Sequence, residues 1–330
     1  MLTPSQNDLY FSKNDPQDIR LGDLAKQNLT AIPESGDVAI IGYPDDEGIK
    51  LNGGRVGAAL APKTIRQFLY KMTPSFECTE FKAKICDLGD LLPATAAPPN
   101  HLQTLGERHE IALNIAQNLY KKNVRILTLG GGHDYGYSDT AAFVSQYKAE
   151  SKNNPGSLKP IVINFDAHLD VRPPTLGFNS GTPFYRLNEK YKDQFHLIEI
   201  GIQPQCNSPQ HYQWAKKQNI EIVSLNDIEN FGWIYLWEKT ELKTLNANSL
   251  KRPVYVSFDI DGLTAAEAGG CSQAWATGLK TMDCLKFLKK LYNTSSVKGF
   301  GIYEVSPPLD RDSQTSKTAA LLAHHYIFNS

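Results

Sequence analysis

Short runs of consecutive apolar residues, rich in β-branched side chains, recur along this chain. Longer stretches with helical periodicity separate them. Continuous apolar runs of this length read as strands buried on both faces. They fall at residues 37–43, 84–88, 124–129, 161–165, 195–202, 220–225, 254–258 and 299–305. Between them, residues 62–72, 101–122, 139–149, 182–192, 209–219, 281–292 and 313–328 read as helices. Pro62 suits a first helical turn, where its missing N–H costs nothing. The alternation predicts an α/β fold, with a mostly parallel sheet of roughly eight strands and helices on both faces.

A proline-rich loop at 91–100 and a polar loop at 150–159 interrupt the pattern, but the alternation continues across both. Residues 37–330 therefore read as a single domain behind an N-terminal extension, residues 1–36. The stretch 226–252, with Phe231, Trp233, Tyr235 and Trp237, follows no clear period.

Composition narrows the function classes. A net charge of −1 leaves no electrostatic footprint for nucleic acid. No apolar run approaches the roughly 18 residues of a membrane span, and the first residues lack a signal-peptide core. Cys78, Cys86, Cys206, Cys271 and Cys284 are scattered, with no C-x-x-C pair. They read as free thiols in a reducing cytoplasm. All but Cys271 read as buried structural thiols; Cys271 is a weak candidate nucleophile.

Candidate chemistry is concentrated in two tight runs, Asp166-Ala167-His168-Leu169-Asp170 and Asp259-Ile260-Asp261. Each follows a predicted strand. Strand alternation would point Asp166, His168 and Asp170 one way, and Asp259 and Asp261 likewise. Ionised carboxylates at a buried strand end are too costly to stand unpaired. A metal cancels them, and this much negative charge suggests two. A third segment, Gly130-Gly131-Gly132-His133, presents a histidine at another strand end. No Lys-Ser/Thr follows, which argues against a P-loop. Nitrogen with hard oxygen donors suits Mn²⁺, then Fe²⁺, Co²⁺, Ni²⁺ or Zn²⁺, and suits Mg²⁺ less.

Gly131-Gly132-His133, Asp166-Ala167-His168-Leu169-Asp170, Ser257-Phe258-Asp259-Ile260-Asp261 and Tyr303-Glu304-Val305-Ser306-Pro307 together resemble the ureohydrolase superfamily of arginases, agmatinases and formimidoylglutamases. The resemblance runs from about residue 37 to the C-terminus. It implies a three-layer α/β/α sandwich and two Mn²⁺ ions. One ion would be held by His133, Asp166, Asp170 and Asp259, the other by Asp166, His168, Asp259 and Asp261, with Asp166 and Asp259 bridging. Homo-oligomers are implied by the same analogy.

Within the superfamily the chain looks most like the formimidoylglutamases. Arginases and agmatinases carry His-Gly-x-Pro after the second motif, where this chain has Asn179-Ser180-Gly181-Thr182-Pro183. Asp170-Val171-Arg172, Asp46-Glu47-Gly48, Asn52-Gly53-Gly54-Arg55 and Gly201-Ile202-Gln203-Pro204 also resemble that branch. An arginine near the metals would repel a guanidinium substrate and grip a carboxylate. The alternative for Arg172 is an internal ion pair with Glu47 or Asp46. The resemblance implies Asp170 as proton shuttle and Glu304 as the partner of the substrate's N–H groups. Arg172, Asn179, Ser180, Gly181, Arg55 and Trp275 would bind substrate. The expected reaction is N-formimino-L-glutamate and water to L-glutamate and formamide. A urea-releasing guanidino-compound hydrolase and a catalytically silent binding subunit are the alternatives. The chain departs from the family after Asp261, where residues 268–275 replace the usual loop beside the pocket.

Overall fold

The computed structural model describes residues 2–78, 81–91, 103–153, 158–246 and 251–330. A nine-stranded sheet runs through it, in the order β1-β3-β2-β4-β9-β8-β5-β6-β7. The strands are β1 (Leu2–Thr3), β2 (Val38–Gly42), β3 (Ile85–Leu91), β4 (Arg125–Leu129), β5 (Ile161–Phe165), β6 (His196–Ile202), β7 (Glu221–Ser224), β8 (Pro253–Asp259) and β9 (Ser296–Tyr303). All pair in parallel except β1, which is antiparallel to β3 at the edge. Every strand expected from the apolar runs is present. The additional one, β1, is two residues long and too short to leave a pattern.

Side chains alternate across the sheet and feed two cores. Val38, Ile40, Ile163, Phe165 and Phe258 pack with helices Ala61–Leu69, Thr281–Thr294 and Gln314–Asn329 on one face. Ala39, Ile41, Val162 and Tyr255 pack with helices Leu105–Tyr120, Gly136–Asn153 and Pro183–Tyr191 on the other. The result is a three-layer α/β/α sandwich. Thr104 closes a capping box on the helix that follows it, and Pro183 occupies the first turn of its helix.

Several expectations need correction. The residues before β2 are packed in, not appended: Leu9, Tyr10, Leu21 and Ala25 belong to the first core. The helix expected at 139–149 begins at Gly136 and runs to Asn153, into the stretch read as a polar loop. Residues 154–157 of that loop, 92–100 of the proline-rich one and the expected helix start at 101–102 lie outside the described residues. The aromatic stretch resolves into two short helices, Leu225–Phe231 and Ile234–Lys239. Trp233 and Trp237 pack on Phe287.

Candidate metal centre

The last two strands, β8 and β9, insert between β4 and β5. Four carboxyl ends therefore stand side by side at the middle of the sheet, where ligands collect in open parallel folds. His133 lies in the turn after β4. Asp166, His168 and Asp170 follow β5, Asp259 ends β8, Asp261 sits in the turn Ile260–Gly262, and Glu304 follows β9.

These side chains do not converge by strand alternation, as the sequence suggested. The strand β5 stops at Phe165, and residues 166–170 are irregular. Convergence comes from sharp local turns. Asp170 and Glu304 both sit in the left-handed region, at φ +47° and +65°. That region costs a non-glycine residue about 1 kcal/mol or more, and such strain clusters at functional sites. The glycine turn serves close approach: a Cβ on Gly131 would lie 1.8 Å from the carbonyl oxygen of Asp45.

Two groups of donors result. His133, Asp166, Asp170 and Asp259 form one; Asp166, His168 and Asp261 form the other. Asp166 belongs to both. The Nδ1 of His133 faces carboxylate oxygens of Asp170 at 3.0 Å, Asp259 at 3.1 Å and Asp166 at 3.3 Å. The Nδ1 of His168 faces Asp261 at 3.2 Å and the other oxygen of Asp166 at 3.3 Å. Backbone N–H groups donate to the same carboxylates: His168 to Asp166 at 2.6 Å and Asp261 to Asp259 at 2.9 Å. The Nε2 of His133 meets the Ser257 hydroxyl at 2.8 Å, and its backbone N–H donates to Glu304 at 3.0 Å.

The electrostatics show how much charge is concentrated. Burial works to lower the His133 and His168 imidazoles, but the facing carboxylates outweigh it and hold both well above their ordinary value. Burial, then Asp261 and Asp166, pushes Asp259 well up. Glu304 is pushed up to about 8, by burial foremost. The Nδ1 of His133 is buried without a proper hydrogen-bond partner. Imidazole nitrogens and carboxylates aimed at common points are the donor set of a transition-metal pair. The residues present fit two divalent ions.

A cavity of about 440 Å³ opens over these donors. His168, Asp170, Asp259, Asp261 and Glu304 form its base; Asn52, Arg172, Ser180, Gln205, Gln273 and Trp275 lie around it. Among the described residues Arg172 makes no ion pair. The carboxylates expected as internal partners are taken: Glu47 binds Arg108, and Asp46 accepts from the N–H groups of Gly57 and Ala59. Arg172 is steadied by Asn52, which accepts from Nη1 at 3.1 Å and itself donates to Ser180. A Cβ at Gly181 would lie 2.1 Å from that same Nη1. Gly181 thus makes room for the guanidinium.

Four residues expected to meet substrate do not line the cavity, Gly181 among them. Asn179 caps Gly181 with its side chain and does not line the cavity. Arg55 commits its guanidinium to the carbonyls of Cys271 and Ser272, so it braces the loop beside the pocket. Cys271 is fully buried and its thiol is pushed well up by burial, the environment of a structural thiol.

The profile of the Arginase family matches residues 36–328. The chain belongs to the arginase family. It is 31% identical to a formimidoylglutamase of Legionella pneumophila, over 86% of this chain and 82% of that one. A formimidoylglutamase of Clostridium tetani is 29% identical over 92% and 86%. Among solved structures, formimidoylglutamase of Bacillus subtilis is similar, with a TM-score of 0.79 and 27% identity over 96% of this chain and 93% of that one. Trypanosoma cruzi formiminoglutamase with Mn²⁺ gives a TM-score of 0.77 and 26% identity over 94% and 98%.

Asn52, Gln205 and Gln273 in the cavity, and Ser257 behind His133, had no role assigned from sequence, although Asn52 and Ser257 lie within the family-like motifs. Ser257 had a legible signal, since it precedes Asp259 by two positions on the same strand face. Among the described residues, no helix is long and apolar enough to cross a membrane.

Proposed function

We propose that this chain hydrolyses N-formimino-L-glutamate to L-glutamate and formamide at a pair of Mn²⁺ ions. Its arginase-family membership and its likeness to formimidoylglutamases support the reaction class, cleavage of a C–N bond in a linear amidine. The observation that carries the substrate is Arg172: a guanidinium with no carboxylate partner among the described residues, beside the cavity over the donors. A guanidinium in that place repels a guanidino substrate and binds a carboxylate through a bidentate fork.

His133, Asp166, Asp170 and Asp259 would hold one ion, and Asp166, His168, Asp259 and Asp261 the other. When bound, such a pair supplies Lewis acidity and a water acidified toward neutrality. Asp170, at the edge of the donor group and lining the cavity, takes the proton of the attacking water. Attack at the imino carbon forms a C–O bond as the C=N π bond opens onto the imino nitrogen, which takes up the remaining hydroxyl proton. The C–N bond to the glutamate nitrogen then breaks, and Asp170 returns the proton to that nitrogen. Glu304 accepts hydrogen bonds from the amidine N–H groups, steadied by the His133 backbone N–H. Arg172 holds a substrate carboxylate and so fixes which carbon faces the water. Trp275 and Ser180 bound the cavity. The family analogy extends to self-association, and the scattered free thiols suit a reducing cytoplasm.

The test is a parallel assay of Mn²⁺-loaded protein with formiminoglutamate, arginine, agmatine and guanidinobutyrate, scoring formamide and urea. Formamide from formiminoglutamate alone is expected. Urea from any guanidino compound would move the chain to the other branch, and fewer than two ions per chain would mark a silent relative.

A further inference from the structure

One row below the ligands, the sheet carries a second line of polar side chains. Parallel register sets Ser257 on β8 beside Asn164 on β5, and Asn164 beside Glu199 on β6. Asp259 and Asp166 stand two residues further along β8 and beyond β5. All three lower residues are fully buried. Ser257 reaches up to His133. Asn164 donates through Nδ2 to Asp166 Oδ2 at 3.2 Å and to Glu199 Oε2 at 2.8 Å.

This leaves two buried oxygens without a partner, Asn164 Oδ1 and Glu199 Oε1. They belong to side chains already joined by one hydrogen bond. Buried orphan acceptors are costly and rare in folded proteins. A single proton on Glu199 Oε1 resolves both, because a carboxylic acid is a donor as well as an acceptor. We propose that Glu199 and Asn164 form a closed acid–amide pair, the Glu199 O–H donating to Asn164 Oδ1, and that this pair positions Asp166 between the two donor groups. An ionised Glu199 would be acceptor-only, with one donor for two buried oxygens and further carboxylates above it. Burial drives its proton affinity well up, although the Asn164 amide works the other way. With its oxygen held by the acid, the Asn164 amide cannot flip, and its NH₂ must point at Asp166 Oδ2. The His168 N–H holds Oδ1. Asp166 is thereby turned so that one oxygen faces His133 and the other His168. Glu199 and Asn164 are positioning residues, since neither touches substrate.

The inference rests on the two-metal reading but not on the substrate. Its test is Mn²⁺ titration of the metal-free chain and of Glu199→Gln, Glu199→Leu and Asn164→Leu. Glutamine presents a donor nitrogen and an acceptor oxygen where the protonated acid presents a donor and an acceptor oxygen. E199Q should bind within about twofold of the parent, whereas E199L and N164L should bind about tenfold or more weakly, the usual cost of losing a ligand's orienting partner. Equal affinities in all four proteins would overturn the pair, as would a tenfold loss in E199Q. Infrared difference spectra of parent against E199Q should show a protonated carboxyl band at neutral pH, and its absence would also overturn the proposal. This second measurement decides the matter if E199L does not fold. Failure of the parent itself to bind two ions would instead count against the proposed function.

Discussion

The Nε2 of His133 lies 2.8 Å from the hydroxyl of Ser257, and this contact leaves Nδ1 as the atom that faces three carboxylates. Tyr303 stacks on the same imidazole with ring centroids 4.9 Å apart, which fixes its plane but not its tautomer. Ser257→Ala should therefore weaken Mn²⁺ binding by about ten- to a hundredfold, with Ser257→Thr close to the parent. Equilibrium dialysis with metal analysis reads this directly. Unchanged binding in the alanine variant would show that ring stacking alone suffices.

Arg172 lines the cavity, and among the described residues its guanidinium is anchored by the neutral Asn52 amide. A charge-assisted hydrogen bond contributes about 1.5–3 kcal/mol. Arg172→Ala should raise KM for formiminoglutamate about tenfold or more, since uniform binding is removed. Arg172→Lys should recover part of it, as lysine keeps the charge but not the fork. Steady-state kinetics on the Mn²⁺-loaded enzyme decides; an unchanged KM would point to a substrate without acid groups.

The fold was largely legible because a parallel sheet covered on both faces writes its strands as apolar runs, as at Ile161–Phe165. The donors were legible because six metal-type side chains in three tight segments would repel one another at buried strand ends without cations between them. Strand alternation, however, is not what gathers them: strand pairing ends at Phe165, and the turn that swings Asp170 into place at φ +47° leaves no mark in residue pattern. Arg55 shows a different limit. A pattern names a cation near the pocket but not what it faces, and here it faces the carbonyls of Cys271 and Ser272. Glu199 and Asn164 were invisible for the same reason, since a lone polar residue in an apolar run tells nothing of its neighbour on the next strand.

Arg66 and Asp87 form an ion pair at 3.0 Å with neither side chain exposed. Asp90 and the Gly89 carbonyl also accept from the guanidinium, while Tyr10 and Tyr70 donate to Asp87. The cluster ties the N-terminal segment, through Tyr10, to β3. Arg66→Met leaves a buried carboxylate without its cation, a change that costs about 3–5 kcal/mol. Arg66→Met combined with Asp87→Leu should be less destabilised than Arg66→Met alone, because no charge is stranded. Urea unfolding of the three proteins tests this, and an additive loss in the double variant would contradict it.

Asp139 is wholly buried beneath the metal centre, with Tyr43 donating at 2.7 Å and Tyr303 at 2.6 Å. Burial pushes its carboxyl up to about 6, although the hydroxyls of Tyr303, Tyr43, Thr128 and Tyr255 work the other way. A carboxyl raised in the folded state keeps its proton after the unfolded chain has released its own near pH 4. Between about pH 4 and 6 the folded state thus binds more protons, and unfolding free energy falls as pH rises. The loss amounts to about 3 kcal/mol and is complete above pH 6, absent below 4. Asp139→Asn removes the titrating group. Its stability should therefore rise relative to the parent by that amount across the same window, whatever constant offset the amide introduces. Denaturant midpoints of both metal-free chains from pH 4 to 7 measure the difference, and parallel curves would mean that the tyrosines hold Asp139 ionised throughout.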